Sequence, residues 1–259
     1  MSGRIHIMGI VNLTPDSFYA GSRTSVDAFL PKVRQMIADG ADVIDIGACS
    51  TRPGAPRPSV EEEWARLEPA LRMIADGVEA NISIDTYRPD VVRRAYEMIG
   101  PFIVNDVGGG EAQMLETVGR LELPYIAMHG REPKGDVIRD VLDFFRDFDV
   151  RARDAGVREW ILDPGFGFGK TIGQNYEILR RLDELKSAGR EIFVGVSRKS
   201  MIYKVLGITP EEAMPETLAL EMTALQKGAT WLRVHDVAPT ARMVKIYSTM
   251  YTSSPGAAK

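Results

Sequence analysis

Ile5-His6-Ile7-Met8-Gly9-Ile10-Val11-Asn12 is a run of largely apolar residues, several of them β-branched, that ends on an amide. It reads as a strand, and its hydrophobicity is nearly continuous rather than alternating, as expected of a strand covered on both faces. Similar runs recur at Asp42 to Ile46, Asn81 to Ile84, Phe102 to Val104, Tyr125 to Met128, Trp160 to Leu162, Glu191 to Val196 and Trp231 to Val234. Segments of helical period separate them. Val60 to Ala75 can open on a capping box of Ser59 and Glu62, and Asn175 to Ala188 closes before Gly189. Pro31 falls inside the first helical segment and the stretch from Val137 to Ala155 is long, so the boundaries of both stay open. Eight strand–helix units in 259 residues match the size of a (β/α)8 TIM barrel. The competing architecture is a doubly wound open sheet.

Composition narrows the function classes. With 44% hydrophobic and 26% charged residues the chain can bury a sizeable core, which excludes disordered and fibrous proteins. A net charge of -4 argues against a broad nucleic-acid surface while leaving room for a local basic site. Cys49 is the single cysteine and the histidines are His6, His129 and His235, too few for an internal disulfide or a Cys/His zinc site. Met1 to Arg4 lacks the apolar run of a signal peptide, and no stretch approaches the roughly 20 apolar residues of a membrane span. These features predict a cytoplasmic protein in a reducing compartment. No linker interrupts the chain, so one domain is expected over residues 1–251, with a frayed tail over 252–259.

The polar residues follow the strands. Asn12 follows the first run, Asp85 the third, Asn105 and Asp106 the fourth, His129 the fifth and Asp163 the sixth. Ser197 to Lys199 follow the seventh, and Arg233, His235 and Asp236 lie in or after the eighth. In a barrel these positions share one mouth, at the C-terminal ends of the strands. Any one acid or amide there can be a mere helix cap, but the mixture of acids with Lys, Arg and His exceeds what caps require. Two subsites are suggested. Asp85, Asn105 and Asp163 suit a planar heterocycle with adjacent N–H groups, whereas Arg52, Arg233 and His235 suit an anion.

The run Asp163-Pro164-Gly165-Phe166-Gly167-Phe168-Gly169-Lys170-Thr171 imitates a phosphate loop but has Pro164 where the first Walker glycine belongs. Lys170 likewise breaks the dinucleotide fingerprint. What remains is a tight loop whose glycines admit either a ligand or a neighbouring backbone. Cys49 has no nearby histidine in sequence and reads as an unreactive side chain. Lys199 is open to two readings, a Schiff-base lysine or a binder of anion or heterocycle oxygen.

Several of these segments together resemble the dihydropteroate synthase family over nearly the whole chain. The first is Met8-Gly9-Ile10-Val11-Asn12-Leu13-Thr14-Pro15-Asp16-Ser17-Phe18 and the second Ser50-Thr51-Arg52-Pro53-Gly54. Ser83-Ile84-Asp85-Thr86-Tyr87, Asn105-Asp106-Val107, Met128-His129, Asp163 to Phe168, Ser197-Arg198-Lys199-Ser200 and Arg233 to Val237 follow in family order. Each is weak alone, and the ordered set is specific.

The resemblance implies a homodimeric (β/α)8 barrel that joins 6-hydroxymethyl-7,8-dihydropterin diphosphate to p-aminobenzoate with help from Mg2+. It implies that Asp85, Asn105, Asp163 and Lys199 hold the pterin. Asn12, Arg52, Arg233 and His235 would hold the diphosphate, with Asn12 near the metal, and Phe168, Lys199 and Ser200 would border the p-aminobenzoate. Arg52, Lys199, Arg233 and His235 would be the catalytic residues. Sulfonamide sensitivity is implied as well. Two positions depart from the family pattern: Ala20 stands where Asp is usual, and Cys49 where Glu is usual. Both remove an acid from a loop, leaving Asp16 and Arg23 as the charges of the first loop. A pterin-dependent methyltransferase and a non-catalytic pterin-binding paralogue are the competing functions.

Overall fold

Every strand pairs in parallel with its neighbours, and the pairing closes on itself. In the computed structural model, which describes residues 4–13, 23–49 and 58–252, the strands are β1 (His6–Asn12), β2 (Val43–Gly47), β3 (Asn81–Asp85) and β4 (Ile103–Asp106). They continue as β5 (Tyr125–Met128), β6 (Trp160–Asp163), β7 (Phe193–Val194) and β8 (Trp231–Val234). Their order is β6-β5-β4-β3-β2-β1-β8-β7. The remaining seam is joined where the Leu162 N–H donates to the Glu191 carbonyl at 2.9 Å, with a parallel bridge from Leu162 to Ile192. The fold is therefore a (β/α)8 barrel, and the open sheet is excluded.

The helices are α1 (Arg23–Ala38), α2 (Val60–Ala75), α3 (Pro89–Ile99), α4 (Ala112–Leu121) and α5 (Val137–Asp154). They are followed by α6 (Ile172–Arg180), α7 (Ser200–Leu206), α8 (Met214–Gln226) and α9 (Val237–Thr252). Helix α2 has the expected bounds and its capping box: the Glu62 N–H donates to Ser59 Oγ, and the Ser59 N–H to Glu62 Oε2. The segment Asn175 to Ala188 differs from expectation. It starts earlier, at a second capping box of Thr171 and Gln174. It then breaks at Arg181 (φ -111°, ψ 19°) into a 3-10 helix, Leu182–Ala188, which ends at left-handed Gly189 as expected. Strand β7 is also shorter than the run Glu191 to Val196, although the carbonyls of Glu191 and Ile192 still reach the strands on either side, accepting from Leu162 and from Thr230 and Trp231. Thr252 closes α9, and residues 253–259 lie outside the described residues.

Two apolar clusters result. The larger lies between strands and helices, and the smaller comprises Met8, Val43, Ile126, Ile161, Phe193 and Trp231. Val43 and Trp231 lie two residues before Asp45 and Arg233, so the alternation of side chains puts each pair on one face of its strand. The smaller cluster thus plugs the barrel interior on the N-terminal side, and the polar layer sits above it.

Candidate active site

Strand register builds the polar layer. Asn12 pairs with Gly47, Gly47 with Asp85, and Asp85 with Asn105, which sets Asp85 and Asn105 side by side on adjacent staves and Asn12 level with them across the glycine of β2. Gly47 makes room for this: a Cβ there would lie 3.2 Å from the Asp85 Cβ.

Asp45, which the sequence reading did not select, is the hub. It is fully buried in β2. Its carboxylate accepts from Arg233 Nε at 2.7 Å, Ser83 Oγ at 2.7 Å and Asn105 Nδ2 at 3.2 Å. Arg233 also donates from Nη2 to Asp85 Oδ2 at 2.9 Å. Burial pushes the Asp85 carboxyl up to about 7, although Arg233 pulls the other way. Asp85, Asn105 and Arg233 are thus brought together as expected, around an acid whose signal was its presence inside an otherwise apolar strand.

Asp163 and Lys199 form the opposite wall. Burial raises the Asp163 carboxyl above its ordinary range, against the pull of Lys199. Burial likewise lowers Lys199 to about 8, with Asp163 the leading opposing influence and Asp85 also felt. Lys199 Nζ donates to the Phe166 carbonyl and sits 4.9 Å from the centroid of the Phe168 ring. The glycine-rich loop between β6 and α6 serves both readings. At Gly165 and Gly169 (φ 72° and 64°) a Cβ would strike the His129 carbonyl or the Arg131–Glu132 backbone, so these two admit a neighbouring loop. Gly167 instead faces the Lys199 side chain. Asn175 steadies the loop by accepting from the Gly167 N–H at 2.7 Å.

At the mouth, Ser197 Oγ lies 3.0 Å from His235 Nδ1 and accepts the His235 N–H at 3.2 Å. Desolvation, with Arg233 and Arg198, lowers the His235 pKa, leaving a neutral ring near pH 7 although one side meets solvent. Asn12 is exposed at the end of β1, and Ser200 opens α7 beside Lys199.

Other selected residues have structural work. His129 is sealed against α5, with Nε2 2.8 Å from Asp140 Oδ2 and its ring edge-on to Phe144, so it stands apart from the cluster. Asp106 clamps its own loop through the Gly108 and Gly110 N–H groups and the Tyr125 hydroxyl. Burial, reinforced by Glu63, pushes the Cys49 thiol up to about 12, which keeps it protonated. Arg52, Asp16 and Ala20 lie outside the described residues, as does the side chain of Arg23.

Among the described residues, no three His, Cys, Asp or Glu side chains form a metal-binding group. The donor chemistry nevertheless suits one cation. Mg2+ commonly takes most of its ligands from phosphate oxygens and water, with one or two from protein, and the exposed Asn12 amide oxygen can be such a ligand.

The family model for pterin binding enzymes matches residues 8–235. Among curated relatives, the dihydropteroate synthase of Streptococcus pyogenes serotype M3 is 41% identical over 260 residues, covering 96% of this chain and 97% of its own. That of Escherichia coli K12 is 39% identical over 254 residues, covering 93% and 90%. Among solved structures, the Xanthomonas albilineans dihydropteroate synthase with 4-aminobenzoic acid superposes with a TM-score of 0.90 at 36% identity, covering 97% of this chain and 94% of that one. The Clostridium difficile enzyme in the presence of pteroic acid gives 0.92 at 36%, covering 97% and 98%.

Proposed function

The chain belongs to the dihydropteroate synthases of the pterin-binding enzyme family, and from that premise we propose how its residues divide the reaction. It condenses 6-hydroxymethyl-7,8-dihydropterin diphosphate with p-aminobenzoate, giving 7,8-dihydropteroate and diphosphate in folate biosynthesis. The observation that supports the division of labour best is the convergence of Asp85, Asn105, Asp163 and Lys199 above the apolar plug. Their acceptors and donors suit the pterin ring edge, whereas Arg233, His235 and Asn12 form the anion side where diphosphate would lie. Arg52 would join that side from the second loop. Phe168, Lys199 and Ser200 border the place left for p-aminobenzoate.

The aryl amine is a weak nucleophile, and the dihydropterin ring can delocalise positive charge from its methylene carbon. The C–O bond to diphosphate therefore breaks first, its electron pair leaving with the oxygen, and the amine nitrogen then bonds to the carbon and sheds a proton. The protein contributes charge and placement rather than covalent chemistry. Asp45 and, in their ionised forms, Asp85 and Asp163 favour the cationic ring, while Arg233 by its charge and His235 by hydrogen bonding hold the departing anion. Lys199 acts here by charge and hydrogen bonding, not as a Schiff base. Mg2+, when bound, neutralises charge on the leaving diphosphate. Exhaustive chelation should stop turnover and Mg2+ should restore it, whereas full activity without the ion would remove Asn12 from its role.

A homodimer is supported by exposed apolar side chains on packed neighbours, Ile172 and Tyr176 of α6 with Val205 and Leu206 of α7. A cytoplasmic location is supported by the single cysteine. No helix among the described residues is long and apolar enough to cross a membrane.

A further inference from the structure

We propose that Arg198 and Asp236 are positioning residues, which lock the loop after β7 to the loop after β8 so that Lys199 and His235 act in one register. The proposal rests on the synthase reading and deepens it. Arg198 Nε donates to Asp236 Oδ2 at 2.8 Å and Nη2 to Oδ1 at 2.7 Å, a two-pronged pair. Only 25% and 22% of the two side chains is exposed, so this is not a solvated surface pair. The adjoining residues form a parallel link, Ser197 with His235. Two successive cross-links therefore tie residues 197 and 198 to 235 and 236.

The backbone is committed to this arrangement. Arg198 has φ 54°, a left-handed conformation that a non-glycine residue adopts at a cost. Glu122, the other such residue among those described, simply ends α4. Arg198 ends no helix; it precedes Lys199, the residue that leads into α7. Its turn presents Ser197 and Lys199 on either side of a guanidinium already spent on Asp236. Helix α8 braces both loops: Thr217 Oγ1 accepts the Arg198 N–H at 3.1 Å. One turn later, Glu221 accepts from Thr240, whose N–H donates back to the Asp236 carbonyl at 3.2 Å. With Nε and Nη2 both given to Asp236, Arg198 is placed to act on the reactants through the neighbouring Lys199 and, across the link, through His235.

Steady-state kinetics on the full-length protein test this with Arg198→Met, Asp236→Asn and the double variant. Each single change should raise KM for p-aminobenzoate and KM for the pterin diphosphate together, by about tenfold. The double variant should be no worse than either, because all three sever one link. Melting temperatures should stay within a few degrees of wild type, and Arg198→Lys, which keeps the charge but one bond, should fall between wild type and Arg198→Met. Additive losses in the double variant would overturn the lock. So would an Asp236→Asn variant whose KM for the pterin diphosphate is unchanged or lower, since freeing Arg198 would then have supplied an anion contact. Variants whose affinity falls only in step with melting temperature would also overturn it. Wild-type turnover, measured alongside, tests the synthase reading separately.

Discussion

Arg233 Nη2 lies 2.6 Å from Asp45 Oδ2, and the Asp45 side chain is wholly removed from solvent. Breaking a buried ion pair by deleting one partner costs about 3 to 5 kcal/mol, mostly for the charge left behind. Asp45→Ala also strips Ser83 and Asn105 of an acceptor. It should lower the melting temperature and weaken pterin binding at least tenfold although Asp45 is not expected to touch the ligand. Calorimetry showing wild-type values for both would remove Asp45 as the hub.

Asp163→Ala separates ligand recognition from scaffold. Its Oδ1 accepts the Gly165 N–H at 2.8 Å, a modest local bond, whereas the pterin ring donors would be left unpaired in a buried pocket. Loss of a charged partner of that kind costs about 2 to 5 kcal/mol, so pterin affinity should fall tenfold or more. Unchanged affinity in the folded variant would contradict the assignment.

Particular residues show what the sequence could and could not disclose. Asn12, Asp85, Asn105, Asp163 and Arg233 were legible because strands buried on both faces read as apolar runs, and a polar residue at their ends has few explanations. Asp45 was hidden by the same logic, lying inside the run Asp42 to Ile46 and counted as strand. His129 satisfied the end-of-strand rule yet turns to α5, since nothing local foretells a partner eleven residues on. The lock between Arg198 and Asp236 joins loops 38 residues apart, and no periodicity encodes that. The break falls at Arg181, whose guanidinium bonds Asp136, Glu177 and Glu184, the first of them far along the chain.

Stability should depend on pH through Asp85. Its carboxyl lies near 7 in the fold and near 3.8 when exposed, so the folded state holds a proton that the unfolded chain releases first. The contribution is fully present below about 3.8 and is lost as pH rises through about 7, at about 1.4 kcal/mol for each tenfold difference in proton affinity. Asp85→Asn abolishes this dependence. Relative to wild type, its melting temperature should therefore be higher at pH 8 than at pH 5. An equal difference at both pH values would show that Asp85 is already ionised throughout.

Sulfonamides resemble p-aminobenzoate and should compete with it at the proposed wall of Phe168, Lys199 and Ser200. Inhibition should raise the apparent KM for p-aminobenzoate without lowering the maximal rate. Absence of inhibition far above the substrate's KM would contradict that placement.

The central claim is the synthase reaction itself, and diphosphate release measured with and without p-aminobenzoate tests it most directly. With Mg2+ and 6-hydroxymethyl-7,8-dihydropterin diphosphate, release should be sustained only when p-aminobenzoate is added, and one 7,8-dihydropteroate should form per diphosphate. No release, or release at the same rate without p-aminobenzoate, would contradict the account.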